Sequence, residues 1–590
     1  MCRTRRGQRP GGATRALPRP AAGRLGRGSC ALIVLACVFG SAALLAGAGR
    51  VLRPKLSRPV KTESGLVAGV SSADGQVQIF KGIPYAAPPV GNLRWRAPEP
   101  APAWKGVREV TEFSAACPQG ERTLLFGERI AKTSEDCLYL NIWAPVQTPS
   151  RHVPVMVWIH GGGFTQGTAS MPTYDGEVLA RRGAVVVTLN YRLGPFGFFA
   201  HPLLTRESGH DTSGNYGLLD QMAALRWVQA NIRAFGGSPD RVTVFGESAG
   251  AASIACLLVA PQAHGLFQAA ILESGSTLGI TRYLRDAPPG EESMEEVGEL
   301  IARRLGCDRE DDVLTALRSR SVEDIMNASH PAPVFLGEGI RFAPVVDRWL
   351  IPDRPSALFA KKRQWRVPMI VGANGDEGTI FVAPVPLDID AYRRFVRATF
   401  RDHADEVLAR FPVSHDWDVK PTLARLIGVS SYVAPARRLA RSAAELGDRA
   451  YLYSFTRVRS GTWAARFGAF HGAEIPFIFS TWGRGSRLLT GVGEPDDVDR
   501  ALSQAMMGYW VRFAATGDPN GEGATAWPRY NPHSDLALDF GDEIQVRAGV
   551  AKDLSDFFDR VAAEGPAPKK PSGRDAAGSS PSALPRSVRR

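Results

Sequence analysis

The chain has 590 residues, 44% of them apolar and 22% charged, with a formal net charge of +12. This composition excludes wholesale disorder, a collagen-like rod and a polytopic membrane protein. An excess of positive charge raises nucleic acid as a partner until the charge is located.

Residues 1–58 carry twelve Lys and Arg and no Asp or Glu. An Arg-rich start leads into the apolar run Cys30-Ala-Leu-Ile-Val-Leu-Ala-Cys-Val-Phe39, continued by Ser41-Ala-Ala-Leu-Leu-Ala46. The small-residue exit Ala46-Gly47-Ala48 follows. A basic start, an apolar core and an A-x-A exit predict a secretory signal peptide over 1–48. An uncleaved membrane anchor over the same residues is the alternative. Positive charge before the run would leave the N-terminus inside, so either reading exports the body.

The body, residues 59–563, carries 53 basic and 57 acidic residues. It shows no internal linker and no repeat, which predicts one large domain. One apolar run that predicts a strand is Val153-Pro-Val-Met-Val-Trp-Ile159. His160-Gly161-Gly162-Gly163-Phe164 follows at once. Three glycines there let the backbone approach a substrate and aim N–H groups at a carbonyl oxygen, the design of an oxyanion hole. His160 precedes that loop and reads as a scaffold residue shaping it. Ala184-Val-Val-Val-Thr-Leu189 is a second strand, and residues 220–232 have apolar residues at helical spacing.

The strand 241–245 runs into Gly246-Glu247-Ser248-Ala249-Gly250, with a helix-compatible segment 251–258 behind it. This is G-x-S-x-G in strand–turn–helix context. The turn presents the Ser248 hydroxyl at the carboxyl edge of a sheet, beside a helix N-terminus that favours developing negative charge. The N–H of Ala249 is the further oxyanion donor. Further strands are predicted at 269–273, 367–371 and 450–455. Nearly continuous apolar runs require a sheet covered on both faces. Alternation with helices gives an α/β fold with a mostly parallel sheet. Two polar, helical stretches, about 285–365 and 385–448, are expected as insertions over the active-site edge.

A serine nucleophile needs a base, oriented in turn by an acid. In this fold class the order is Ser, acid, His. The acid is expected just past strand 367–371, in Gly372-Ala-Asn-Gly-Asp-Glu-Gly378, where position alone does not separate Asp376 from Glu377. Six histidines follow Ser248. His471, past strand 450–455 and flanked by the small Gly472 and Ala473, best fits a mobile base. The tail 564–590, rich in Pro, Ser, Ala and Arg, reads as a disordered basic segment. Basicity therefore belongs to the two flanks, and no nucleic-acid partner is expected.

These motifs, in this order, resemble the type-B carboxylesterase family, which includes the cholinesterases. The resemblance runs from about Gly65 to Asp539. It also rests on Phe80-Lys-Gly-Ile-Pro-Tyr-Ala-Ala-Pro-Pro-Val-Gly91, Leu93-Arg-Trp-Arg96 and Ser134-Glu-Asp-Cys-Leu-Tyr-Leu-Asn141. Asn190-Tyr-Arg-Leu-Gly-Pro-Phe-Gly-Phe198, Asn215-Tyr-Gly-Leu-Leu-Asp-Gln221 and Phe513-Ala-Ala-Thr-Gly-Asp-Pro-Asn520 complete the set. The resemblance implies an α/β-hydrolase fold. It implies Glu377 as the acid, His471 as the base, and Gly162, Gly163 and Ala249 as oxyanion donors. It implies a disulfide between Cys117 and Cys137. Half of the family's second bridge matches Cys307, but Ala316 stands where the other half is expected. Cys307 is expected to be unpaired, and Cys256 to be a buried thiol.

The expectation is an exported serine carboxylesterase that uses no metal or organic cofactor and acts on a small-molecule ester. A catalytically silent binding protein is the rival, as is a specialised hydrolase of a polyester, toxin ester or carbamate. Membrane contact is expected only through an uncleaved N-terminal anchor. The natural ester and the oligomeric state are not legible.

Overall fold

In a computed structural model the described residues are 56–564, except 122, 124–126, 147–151, 276–281, 289–290, 333–338, 460–462 and 486–493. The leader reading over 1–48 and the tail reading beyond 564 lie outside them. The apolar runs become strands of an 11-stranded sheet. In chain order, β1 (Val70–Ser71), β2 (Val77–Pro84) and β3 (Tyr139–Pro145) form its antiparallel edge. Then come β4 (Val153–Ile159), β5 (Val185–Leu189), β6 (Gly237–Glu247) and β7 (Ala269–Glu273). β8 (Met369–Asn374), β9 (Ala450–Phe455) and β10 (Leu536–Phe540) follow, and β4 to β10 are mutually parallel. β11 (Ile544–Ala548) closes the far edge antiparallel to β10. The order across the sheet is β1-β2-β3-β5-β4-β6-β7-β8-β9-β10-β11.

Every residue of β4, β5, β7, β8 and β9 is buried. Successive side chains point to opposite faces, and both faces carry a core. Val155, Val157 and Ile159 join one apolar cluster, while Met156 and Trp158 join the other. Helices supply the two covers. The principal ones are α1 (Tyr216–Asn231), α2 (Ala249–Leu257), α3 (Ala434–Glu445), α4 (Asp497–Thr516) and α5 (Lys552–Glu564). None among the described residues is long and apolar enough to cross a membrane.

Some boundaries differ from the sequence reading, each for a local reason. β8 starts at Met369, since Pro368 has no N–H for the ladder. It continues to Asn374 because it pairs with β9 as far as Asn374 opposite Phe455. The stretch 285–365 contains helices Met294–Arg304, Val313–Ser319, Val322–Ser329 and Pro355–Ala360, and also a short strand, Val345–Val346. That strand pairs with Arg282–Tyr283. The stretch 385–448 is helical throughout its ordered elements, with one π-turn at Val429–Val433 running into α3.

Candidate active site

The carboxyl ends of the parallel strands gather the residues of interest at one edge of the sheet, where ligands bind in open α/β folds. Ser248 links β6 to α2 and adopts φ +57° and ψ −120°. No non-glycine residue adopts such a backbone without strain, and strain of this kind concentrates at functional sites. The glycines on either side explain how it is tolerated. A Cβ on Gly250 would lie 1.9 Å from the Ile159 carbonyl oxygen, and one on Gly246 2.5 Å from the same atom. Ser248 donates its backbone N–H to the Glu273 carbonyl at 2.9 Å, which ties the turn to β7. Its side chain remains partly exposed. Ala249 opens α2, so its N–H belongs to the first turn, which has no intrahelical acceptors.

The glycine loop after β4 folds against this turn. A Cβ on Gly161 would meet the Ser248 Cβ at 3.1 Å. Gly162 and Gly163 take φ +105° and +61°. His160 is buried and stacks on Tyr191 at 4.6 Å. Its Nδ1 lies 2.9 Å from the Gly161 carbonyl, which only accepts, so Nδ1 carries the proton. Burial pulls its pKa down to about 4, against the opposing carbonyl bond. His160 is thus a neutral brace of the loop.

Glu377 and His471 meet beside this loop. Nδ1 of His471 donates to Glu377 Oε2 at 2.6 Å, and both side chains are buried. The backbone N–H of Asn374 donates to the other carboxylate oxygen, Oε1, at 2.7 Å. Asp376, the alternative acid, faces elsewhere and accepts from the N–H of Ala469. With Nδ1 protonated, Nε2 is the free base nitrogen of the neutral ring. Here Nε2 has no hydrogen-bond partner and lies 3.0 Å from Glu247 Oε1. The structure therefore joins His471 to Glu377 and to Glu247, but not by a hydrogen bond to Ser248. Phe381 and Tyr432 flank the imidazole, with ring centroids at 5.0 and 4.7 Å.

Three further carboxyls converge there: Glu247 and Glu273 at the ends of adjacent strands, and Glu474 beyond the histidine. Trp510 of α4 donates to Glu273 at 2.7 Å, and Asn374 donates to Glu474. Burial, then Glu247 and Glu377, push Glu474 up to about 8. Burial, then Glu474, hold Glu273 well above the usual carboxylate range. Burial alone would lower His471, but the attraction of Glu247 and then Glu377 outweighs it, and the imidazole is held well above 6.5. Sequence reasoning missed this cluster, although Glu247 and Glu273 lie within segments already singled out and Glu474 stands three residues past His471. Their signal is an acid standing in an otherwise apolar run.

Cys117 and Cys137 form a disulfide, and Cys256 and Cys307 are free and buried. Phe164 and Phe198 pack on one another, with centroids at 5.2 Å, and are fully buried. Among the described residues no cluster of His, Cys, Asp and Glu is arranged to hold a metal ion.

The model of the carboxylesterase family matches residues 57–558. Over 500 residues the chain is 40% identical to a fumonisin B1 esterase of Sphingopyxis macrogoltabida, covering 84% of this chain and 88% of that protein. It is 37% identical to a para-nitrobenzyl esterase of Bacillus subtilis over 502 residues, 82% and 95% of the two chains. It is 35% identical to a mouse cholinesterase over 510 residues, 80% and 81%. A solved structure of PNB esterase superposes with a TM-score of 0.74 at 34% identity, covering 85% of this chain and 99% of that one.

Proposed function

The chain belongs to the carboxylesterase family and is a carboxylic ester hydrolase, and we propose that it works through an acyl-enzyme formed on Ser248. The observation that carries this is one sheet edge holding a strained Ser248 and a His471 whose Nδ1–H is fixed by Glu377. Neutral His471 takes the Ser248 proton at Nε2 while Oγ attacks the ester carbonyl carbon. The carbonyl oxygen becomes an oxyanion held by the N–H groups of Gly162, Gly163 and Ala249. The C–O bond to the alcohol breaks, and the alcohol leaves with the proton from His471. A water, deprotonated by His471, attacks the acyl carbon, and the acid departs as Ser248 regains its proton.

Choline esters are poor candidates. Residues 118–136 contain no Trp and include Arg122, Arg129 and Lys132, so a quaternary ammonium finds no indole there to sit on. A second reading, hydrolysis of fumonisin B1 or a kindred ester, is favoured by 40% identity to the fumonisin B1 esterase. Export of the chain is supported by the leader over 1–48 and by the Cys117–Cys137 bridge, which suits an oxidising compartment.

The test is hydrolysis of p-nitrophenyl acetate to octanoate, and of fumonisin B1, by the native protein beside Ser248→Ala. Ser248→Ala is expected to lose about 10⁴-fold or more in kcat on every substrate the native protein cleaves. Equal rates would overturn the acyl-enzyme.

A further inference from the structure

We propose that Gln119 is a positioning residue for the oxyanion loop, coupling the disulfide loop to transition-state stabilisation. The inference rests on the reading above, in which Gly162 and Gly163 bind the oxyanion.

Gln119 lies two positions after Cys117, and its amide makes three hydrogen bonds. Nε2 donates to the Cys117 carbonyl at 3.1 Å and to the Gly167 carbonyl at 2.7 Å. Oε1 accepts from the Gly167 N–H at 2.8 Å. Both polar groups of the Gly167 backbone are thus held by one side chain. A primary amide is the side chain that offers an acceptor and two donors in one plane. The reversed amide would set oxygen against the Gly167 carbonyl.

Gly167 is pressed onto the loop it ends. It adopts φ +114°, and a Cβ there would lie 2.4 Å from His160 Nδ1 and 2.7 Å from the Gly161 carbonyl oxygen. One residue back, the Gln166 carbonyl oxygen lies where a Gly162 Cβ would be, at 2.1 Å. The Gly162 carbonyl accepts from the N–H groups of Thr165 and Gln166 at 3.2 and 3.1 Å. Residues 162–166 therefore form a tight turn whose outer end is Gly167. Two other ties, Tyr191 Oη to the His160 carbonyl and Gly194 N–H to the Phe164 carbonyl, hold the start and middle of the loop. The Gln119 bonds hold its end. If Gly167 relaxes outward, Gln166 and then Gly162 follow, and the oxyanion donors lose their aim. Aim matters at this scale, because a shift of about 1 Å in a catalytic group costs on the order of 100-fold in rate.

The test compares the native protein, Gln119→Ala, Gln119→Glu and Ser248→Ala on p-nitrophenyl butyrate, with folding checked by circular dichroism. Gln119→Ala is expected to lower kcat about 10- to 100-fold with KM changed less than about threefold. Inhibition by a trifluoromethyl ketone, whose adduct with Ser248 carries an oxyanion, should weaken in parallel with kcat. Gln119→Glu keeps size and shape but turns the donor facing the Gly167 carbonyl into an acceptor. It should lose at least as much as Gln119→Ala, whereas a space-filling role would leave it native-like. Reduction of the disulfide should lower kcat in the native protein and add less than about twofold in Gln119→Ala, since the two act through one tie. Native-like kcat in Gln119→Glu, or fully additive losses on reduction, overturns the proposal. Should Gln119→Ala fail to fold, Gln119→Glu and the reduction of native protein decide it. If Ser248→Ala is itself active, the acyl-enzyme has failed; if it is dead while the Gln119 variants keep kcat, the clamp alone has failed.

Discussion

His471 sits between two carboxylates, and in the proposed mechanism its charge state governs activity. If His471 is the base proposed above, only its neutral ring accepts the Ser248 proton, and kcat/KM should rise with pH through the pKa of His471 in the free enzyme. Glu247 and Glu377 hold that pKa well above 6.5, which places the limb on the alkaline side of an ordinary histidine. Glu247→Gln removes one of the two opposing charges and should move the limb about one pH unit or more toward acid. A pH–rate profile in which that variant titrates like the native protein would remove Glu247 from the account. Glu474 gives a stability effect of definite sign. Its folded pKa is about 8 against an ordinary 4.5, so between those values the folded protein keeps a proton that the unfolded chain has lost. Stability therefore falls as pH rises through this window. His471 acts in the same direction: its contribution is complete below 6.5 and is lost as pH rises through its raised folded value. Calorimetry should show Tm declining from pH 5 to pH 9, by stability on the order of a few kcal/mol, with a flatter decline in Glu474→Gln.

The elements that carry these side chains are fixed by close backbone contacts. The end of β4 and the start of α2 touch at Gly250, where the missing Cβ leaves room for the Ile159 carbonyl. Gly250→Ala should push α2 off β4 and cost about 3 kcal/mol or more, read as a lower urea midpoint together with lost activity. The disulfide loop is tied at a second point, since Arg94 grips Glu135 through Nε at 2.7 Å and Nη2 at 2.5 Å. Much of this level was legible in the sequence. β4, β5 and β9 stood out because strands buried on both faces need unbroken apolar runs, and the strained turn at Ser248 because such a turn demands glycines at fixed offsets. His471 followed from its place beyond β9. The choice of Glu377 over Asp376 was not legible from position, because adjacent loop residues differ only in which way their side chains turn. The convergence of Glu247, Glu273 and Glu474 was hidden for a related reason: burial of an acid is decided by elements distant in the chain, such as Trp510 of α4 reaching Glu273. The strand Val345–Val346 escaped notice because two residues carry no periodicity.

At the scale of the whole chain, the +12 charge that first suggested an anionic partner resides in the flanks, and the body between them is slightly acidic. The proposed cleavage after Ala48 would remove eight arginines, and N-terminal sequencing of the protein recovered from the medium or periplasm tests it. The attachment of the last described element follows from packing. α5 is the last described element, and it inserts Phe557 and Phe558 into the core on one face of the sheet, with Phe558 against Phe400, Phe411 and Phe557. It also sets Asp559 against Arg438 and Arg441 of α3. Asp559 is mostly buried and shared by the two arginines, so this small network adds to the hold of the two aromatic side chains. At about 1.5–3 kcal/mol for each buried Phe, a chain ending at Ala551 should lose about 3–6 kcal/mol. The loss should reach the site, because the π-turn that leads into α3 carries Tyr432, which flanks His471. A chain ending at Glu564 keeps every one of these contacts and should match the full-length protein in both guanidinium midpoint and p-nitrophenyl butyrate rate. If the chain ending at Ala551 retains the native midpoint, α5 is an accessory and the core closes without it.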